Sequence, residues 1–336
     1  MKAAVITRPG GPEVLEIRDV PQPKAAAGQA LVRVHASALN RADLLQRAGR
    51  YPAPPGFPDD IPGMEFAGEV AECGPNAHRW KPGQRVFGIT GGGAQAEYVA
   101  VDERTLAEIP PNLSWTEAAS IPEVFITAHD ALWIQAGLRA KERVLITAVG
   151  SGVGLAATQL TRAQGAVPYG TSRTADKITR AREYGLEAGA AVKDPATELP
   201  ELAKKWFGDG LESGFDVGFD VVLDLTAGPY VAAGVSVLRT KGRLMLVGTT
   251  AGNSGELKFS PLLTKRLTIK GTSLRGRPIE EKIEATQAFA RDVVPLLASG
   301  RVKPTIDRVF PLAEIAAAHQ YLESDQSFGK VVLEVA

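Results

Sequence analysis

The chain has 336 residues, 44% apolar and 23% charged, the balance of a soluble globular protein long enough for two domains. Its 38 basic and 38 acidic side chains cancel, which argues against nucleic-acid or acidic-membrane partners. A single cysteine, Cys73, excludes an internal disulfide framework and a multi-cysteine zinc lobe, and no apolar run reaches the ~18 residues of a membrane span.

The opening KAAVI reads directly as a strand with no signal-peptide pattern before it, so a cytoplasmic protein is expected. Short β-prone runs follow at 3–7, 15–20, 30–38, 65–73, 85–89 and 94–101, separated by Pro and Gly turns. In 30–38 the apolar Leu31, Val32, Val34, Ala36 and Ala38 are set against Arg33, His35 and Ser37, a half-buried alternation. Residues 41–48 read as a helix, with Asn40 as its cap and Asp43 at the third position. Residues 50–63, RYPAPPGFPDDIPG, carry five prolines and two glycines and predict a long loop covering a site.

Beyond residue 115 the rhythm changes. Strands predicted at 143–147, 166–171, 189–192, 219–224, 242–248 and 267–272 alternate with helices centred on 152–164, 175–184, 199–207 and 229–238. FDVVLDL and RLMLVG are apolar almost throughout, as expected of parallel strands covered on both faces. Six such strands predict a doubly wound Rossmann sheet, an α/β domain following a β-rich one. The tail predicts a long helix at 279–298, another at 312–323 and a last strand at 331–335. It is too small to stand alone and is expected to rejoin the N-terminal part. The domains then fall at 1–122 with 274–336, and at 123–273, with a ligand cleft between the lobes.

Residues 143–165, RVLITAVGSGVGLAATQLTRAQG, carry the strongest functional signal. A strand, a glycine-rich turn and a helix N-terminus offer free backbone N–H groups and the positive end of a helix dipole to a diphosphate. The turn departs from G-x-G-x-x-G, because Val149 stands where the first glycine would be and only Gly152 and Gly154 fit. NAD enzymes place a carboxylate at the end of the next strand, about 20 residues past the first turn glycine. Here Thr171, Ser172, Arg173 and Thr174 occupy that place with Lys177 one turn on, and no carboxylate precedes Asp176. Hydroxyls and cations suit a 2′-phosphate, so the expected cofactor is NADPH.

LNRADLLQRAGRYPAPPG…IPGMEFAGEV at 39–70 resembles the medium-chain dehydrogenase/reductase superfamily in its quinone oxidoreductase branch. PGGPEVLEI, KPGQRVFG, GGGAQAEYV, AASIPEVFITAHDAL and GKVVLE extend the likeness over essentially the whole chain, most closely to quinone reductases carrying NRADLLQR and IPE. The resemblance implies a GroES-like catalytic domain beside the Rossmann domain. Zinc-dependent relatives have Cys-His-x-Asp where this chain has Asn40-Arg41-Ala42-Asp43, and Gly-His-Glu where it has Gly63-Met64-Glu65. The third ligand position falls near Glu123. No metal is therefore expected. His35, His78, His129 and His319 show no ligand spacing, and Cys73 is assigned no catalytic role.

The resemblance also implies Asn40 and Tyr51 near the nicotinamide ring as catalytic residues. Asn40 would polarise a carbonyl or orient the carboxamide. Tyr51 would donate a proton or stack on a flat substrate. Pro122, Glu123 and Thr127 would lie beside the nicotinamide half; Ser151, Gly152 and Val153 would meet the diphosphate. Thr226, Gly248, Thr249, Ser273 and Leu274 would line the cleft at strand ends. Lys330 would approach the cofactor, unless it is simply an exposed lysine. The activity implied is reduction of a quinone by NADPH. One alternative is an enal or enoyl double-bond reductase, another a non-catalytic, crystallin-like NADPH-binding protein. A homodimer or homotetramer is expected, joined along the sheet edge at 242–272.

Overall fold

In a computed structural model describing residues 1–208 and 216–335, the chain divides into two units. One comprises Met1–Ile126 with Leu274–Ala336, the other Thr127–Ser273. The strands, in chain order, are β1 (Lys2–Ile6), β2 (Leu15–Asp19), β3 (Gln29–Ala38), β4 (Glu65–Cys73), β5 (Arg85–Ile89), β6 (Tyr98–Asp102) and β7 (Leu106–Glu108). The second unit contributes β8 (Arg143–Ile146), β9 (Val167–Ser172), β10 (Ala188–Ala191), β11 (Phe219–Asp224), β12 (Leu238–Leu246) and β13 (Thr268–Gly271). The tail adds β14 (Ile306–Pro311) and β15 (Lys330–Glu334).

In the first unit the order is β14-β15-β3-β4-β5-β7, with β6 also paired to β3. All pairings are antiparallel except β14 with β15. β15 pairs with β3, so the tail completes the N-terminal sheet, as the GroES-like reading requires. The core beneath it gathers Phe66, Val70, Val86 and Leu106. The strand expected at 94–101 begins only at Tyr98. Gly93 takes φ +87°, and the Ala94 and Gln95 N–H groups donate to the carbonyls of Gly63 and Pro62 instead of a ladder. The long tail helix ends at Asp292, and a separate helix, Val294–Ala298, follows with Pro295 in its first turn. Residues 50–63 form no helix or strand. β7, β14 and the helices Trp115–Ala119 and Pro122–His129 have no counterpart in the sequence expectation.

The second unit is a six-stranded, all-parallel sheet in the order β10-β9-β8-β11-β12-β13. Chain order reverses between β8 and β11, where doubly wound sheets open a crevice at their C-terminal edge. Leu145, Phe219, Val222 and Leu244 fill its core. Tyr169 packs edge-on against Phe207 and Phe219. The apolar β11 is buried at every position, the burial that a parallel strand with both faces covered demands. No helix among the described residues is long and apolar enough to cross a membrane.

Candidate functional site

In the second unit the candidate residues gather at the C-terminal strand ends. β8 runs into the turn 147–151 and the helix Gly152–Ala163, whose cap Ser151 accepts the Gly154 N–H at 3.1 Å. The Val149 N–H donates to Thr171 O at 2.8 Å, tying the turn to the end of β9. A Cβ on Gly154 would lie 2.7 Å from Ala148 O and Val149 Cα, so only glycine lets the helix start this close to the strand. The imperfect fingerprint has a structural reason. Val149 is fully buried, and a Cβ on Gly170 of β9 would sit 2.8 Å from its Cβ. The glycine missing from the turn is supplied across the sheet.

Thr171 and Ser172 are buried, while Arg173 and Thr174 are exposed just beyond the strand. Lys177 is partly buried, and its stem lies where a Cβ on Gly150 would approach within 2.9 Å of its Cδ. The lysine therefore crosses the diphosphate turn itself. Thr226 is buried, and its hydroxyl donates to Asp224 Oδ1 at 2.7 Å. That oxygen also accepts from Thr147 Oγ1 and from the Thr226 and Ala227 N–H groups. Asp224 thus fixes the loops after β8 and β11, a structural task that the sequence pattern did not single out. Thr127, Gly152, Val153 and Gly248 are partly buried, and Thr249 and Ser273 are exposed.

In the first unit a buried polar cluster replaces backbone geometry. Lys330 Nζ donates to Glu65 Oε1 at 2.6 Å, Asn40 Oδ1 at 2.8 Å and Leu39 O at 2.6 Å. Asn40 Nδ2 donates to the same Glu65 oxygen at 2.8 Å. Glu65 Oε2 accepts the Glu123 N–H at 2.8 Å. Lys330 and Glu65 are 4% and 0% exposed, an ion pair taken wholly out of water. The exposed-lysine alternative therefore fails. All three ammonium hydrogens are engaged inside this unit, so Lys330 holds Asn40 in place.

Asn40 precedes the helix Arg41–Arg47, and Asp43 Oδ2 accepts its backbone N–H at 2.7 Å. Asp43 Oδ1 accepts from the Gly63 N–H at 3.0 Å. The carboxylate of Asp43 does the capping while the Asn40 amide reaches Glu65 and Lys330. Burial raises the Asp43 carboxyl to about 6 against the pull of these backbone donors. Burial, followed by the neighbouring Glu65 charge, pushes Glu123 up to about 8, although that side chain keeps some accessible surface. Tyr51 lies in the proline-rich loop with the Arg275 guanidinium 4.9 Å from its ring centroid. Arg275, 5% exposed, also donates to Tyr51 O, Gly91 O and Gln46 Oε1. Pro122 and Leu274 are buried.

Sequence reasoning did not pick out Arg275 or the structural weight of Glu65. The one available signal was a carboxylate inside the otherwise apolar MEFAG run, where only a partnered charge survives burial.

Residues 26–111 match the alcohol dehydrogenase GroES-like domain model, and residues 196–333 match the zinc-binding dehydrogenase model. The human quinone oxidoreductase is 30% identical over 340 residues, spanning 99% of this chain and 97% of the relative. Among solved structures, an NAD-dependent alcohol dehydrogenase superposes with a TM-score of 0.86 at 30% identity, covering 100% of both chains. A mycobacterial protein complexed with NADPH gives 0.87 at 25% identity, again covering 100% of both.

The positions that answer to zinc ligands do not fit that metal. Asn40 offers an amide already facing an ammonium and Met64 is a buried thioether, which leaves Glu123, its carboxyl pushed up to about 8, as a single oxygen ligand. The turn does fit a pyridine dinucleotide. Gly154 admits no side chain there, a side chain at Gly150 would crowd the Lys177 stem, and the helix N-terminus faces the same end of the sheet as the Thr171–Arg173 strand end.

Proposed function

Since the chain belongs to the quinone oxidoreductase branch of the medium-chain dehydrogenase/reductase superfamily, we propose that it is a zinc-independent, NADPH-dependent quinone reductase. The observation that carries the cofactor choice is the end of β9. It presents Thr171, Ser172 and Arg173 with no carboxylate before Asp176, and Lys177 lies across Gly150. A ribose 2′-hydroxyl would want an acceptor here, whereas a 2′-phosphate finds hydroxyls and two cations. Ser151, Gly152 and Val153 would hold the diphosphate.

When bound, NADPH supplies a hydride to the acceptor. The chain's own part is to orient and polarise. Asn40 is fixed by Glu65 and Lys330, and its second amide hydrogen reaches Ala38 O only at 3.5 Å, leaving it to donate to a carbonyl. Tyr51, steadied by Arg275, offers a flat ring to a quinone. The edge strand β13 is exposed throughout, and Phe259 (71% exposed) and Leu263 (78%) precede it in the chain, which supports self-association along that edge.

Steady-state oxidation of NADPH and NADH with 1,2-naphthoquinone and with 2-alkenals tests the reading. NADPH turnover with the quinone, at least ~10-fold preferred over NADH, is expected from one charge-assisted phosphate contact. Turnover with alkenals alone would establish the double-bond reductase instead. Tight NADPH binding without turnover on either acceptor would establish a non-catalytic role.

A further inference from the structure

The first unit contains a cavity of about 860 Å³ that the cofactor and quinone reading does not use. Part of its wall is apolar, from Pro54, Phe57 and Pro58 of the proline-rich loop, Ile61, and Ile89 at the end of β5; Gln29, Tyr98 and Thr105 make it polar elsewhere. Lys282, on the first turn of the helix Ile279–Asp292, lines the same space. It is 5% exposed, and its ammonium sits 5.2 Å from the centroid of the Phe57 ring. Among the described residues that ammonium has no hydrogen-bond or ion-pair partner, unlike Lys330, whose three donors are all taken.

An ammonium on a largely buried side chain that has no protein acceptor is completed by water or by a ligand anion. Partial burial lowers the Lys282 pKa, and the nearby Arg275 charge adds to that. Glu123, whose field reaches Lys282, makes no hydrogen bond or ion pair with it, and its carboxyl is pushed up to about 8 by burial. The other charged groups on the wall are Arg277, the Met1 ammonium, which donates to Val20 O at 2.9 Å, and Asp102, whose carboxylate is held by Arg104 through contacts of 2.8 and 3.0 Å. The cavity therefore joins a partly apolar, partly aromatic wall to the Lys282 ammonium, which has no protein acceptor among the described residues.

We propose that this cavity binds a small apolar monoanion, an aromatic or aliphatic carboxylate, with its charge on Lys282 and its body against Phe57 and the prolines. The site lies entirely in the first unit and is independent of the cofactor assignment.

Titration calorimetry of the whole protein with 2-naphthoate and with neutral 2-naphthamide, each with and without saturating NADPH, tests this. Expected is naphthoate binding at least ~10-fold tighter than the amide, the size of one hydrogen bond to a charged group. That preference should be unchanged by NADPH. Lys282→Met should bring naphthoate down to the affinity of the amide while leaving the amide alone, and Lys282→Arg should restore the preference. Equal affinities in the wild type, a preference that survives Lys282→Met, displacement of naphthoate by NADPH, or no binding of either probe would each overturn the proposal. None of these readouts depends on turnover, so a failure here is separate from a failure of the reductase reading.

Discussion

The two units build their candidate sites by opposite means. In the second, the chemistry is backbone: a turn emptied of side chains by Gly150 and Gly154, a helix N-terminus, and cations outside it at Arg173 and Lys177. In the first, the chemistry is a closed set of side chains, Asn40, Asp43, Glu65, Glu123 and Lys330, mostly removed from water and holding one another. A backbone site tolerates changes at its rim and fails when a Cβ intrudes. A buried ionic site fails when any one partner is lost, because the remaining charge has no water to return to.

Breaking the first site should have the largest effect. Lys330→Met strands the fully buried Glu65 and should cost about 3–5 kcal/mol of stability by urea unfolding. Adding Glu65→Gln should recover a large part of that loss. A double mutant as unstable as the single would show that the pair is not the reason.

A smaller effect separates the two carboxylates that share this cluster. Glu65 is charged and paired, and it helps to raise Glu123 from 4.5 to about 8. A carboxyl raised on folding binds more protons in the native than in the unfolded state between those values. Stability is therefore fully present at low pH and falls as pH rises through that window. Water at the accessible part of Glu123 screens the penalty to on the order of 2 kcal/mol. Glu123→Gln should then stabilise the protein more at pH 8.5 than at pH 5 by that margin, read as the difference in unfolding free energy. His319, buried beside Arg47 and lowered to about 3, contributes the opposite slope below its ordinary 6.5, but equally in both proteins. An equal effect of the substitution at both pH values would remove Glu123 from the cluster's titration.

The same contrast explains what could be read from the chain. All six parallel strands were legible, and for a central one such as FDVVLDL the reason is burial on both faces, which writes itself into a local apolar run. The turn was legible for the same reason, since strand, glycines and helix are adjacent in sequence. Even its defect had a distant cause, with Gly170 making room for Val149. The first unit's cluster joins residues 40, 65, 123 and 330, and no local pattern links them. A lysine in the GK pair near the end of a chain looks like any surface lysine until β15 pairs with β3 and carries it inside. β7, only three residues long, and β14, with five of its six positions open to solvent to some degree and only Phe310 buried, lacked the apolar alternation that would have announced them.

The smallest expected effect concerns the rim of the second site. Lys177 contributes charge to a place whose shape is made by glycines, so its loss should leave the fold intact. Lys177→Ala should change unfolding free energy by less than about 0.5 kcal/mol, as surface substitutions do. The same change should raise the KM for NADPH roughly tenfold, the loss of one charge-assisted contact to a phosphate. KM for NADH should stay within about twofold, because its ribose carries no phosphate there. Equal losses for both nucleotides would place Lys177 on the shared diphosphate instead, where its stem already crosses Gly150. No loss for either would leave Arg173 and the two hydroxyls to discriminate alone, and Arg173→Ala would then have to carry the whole preference.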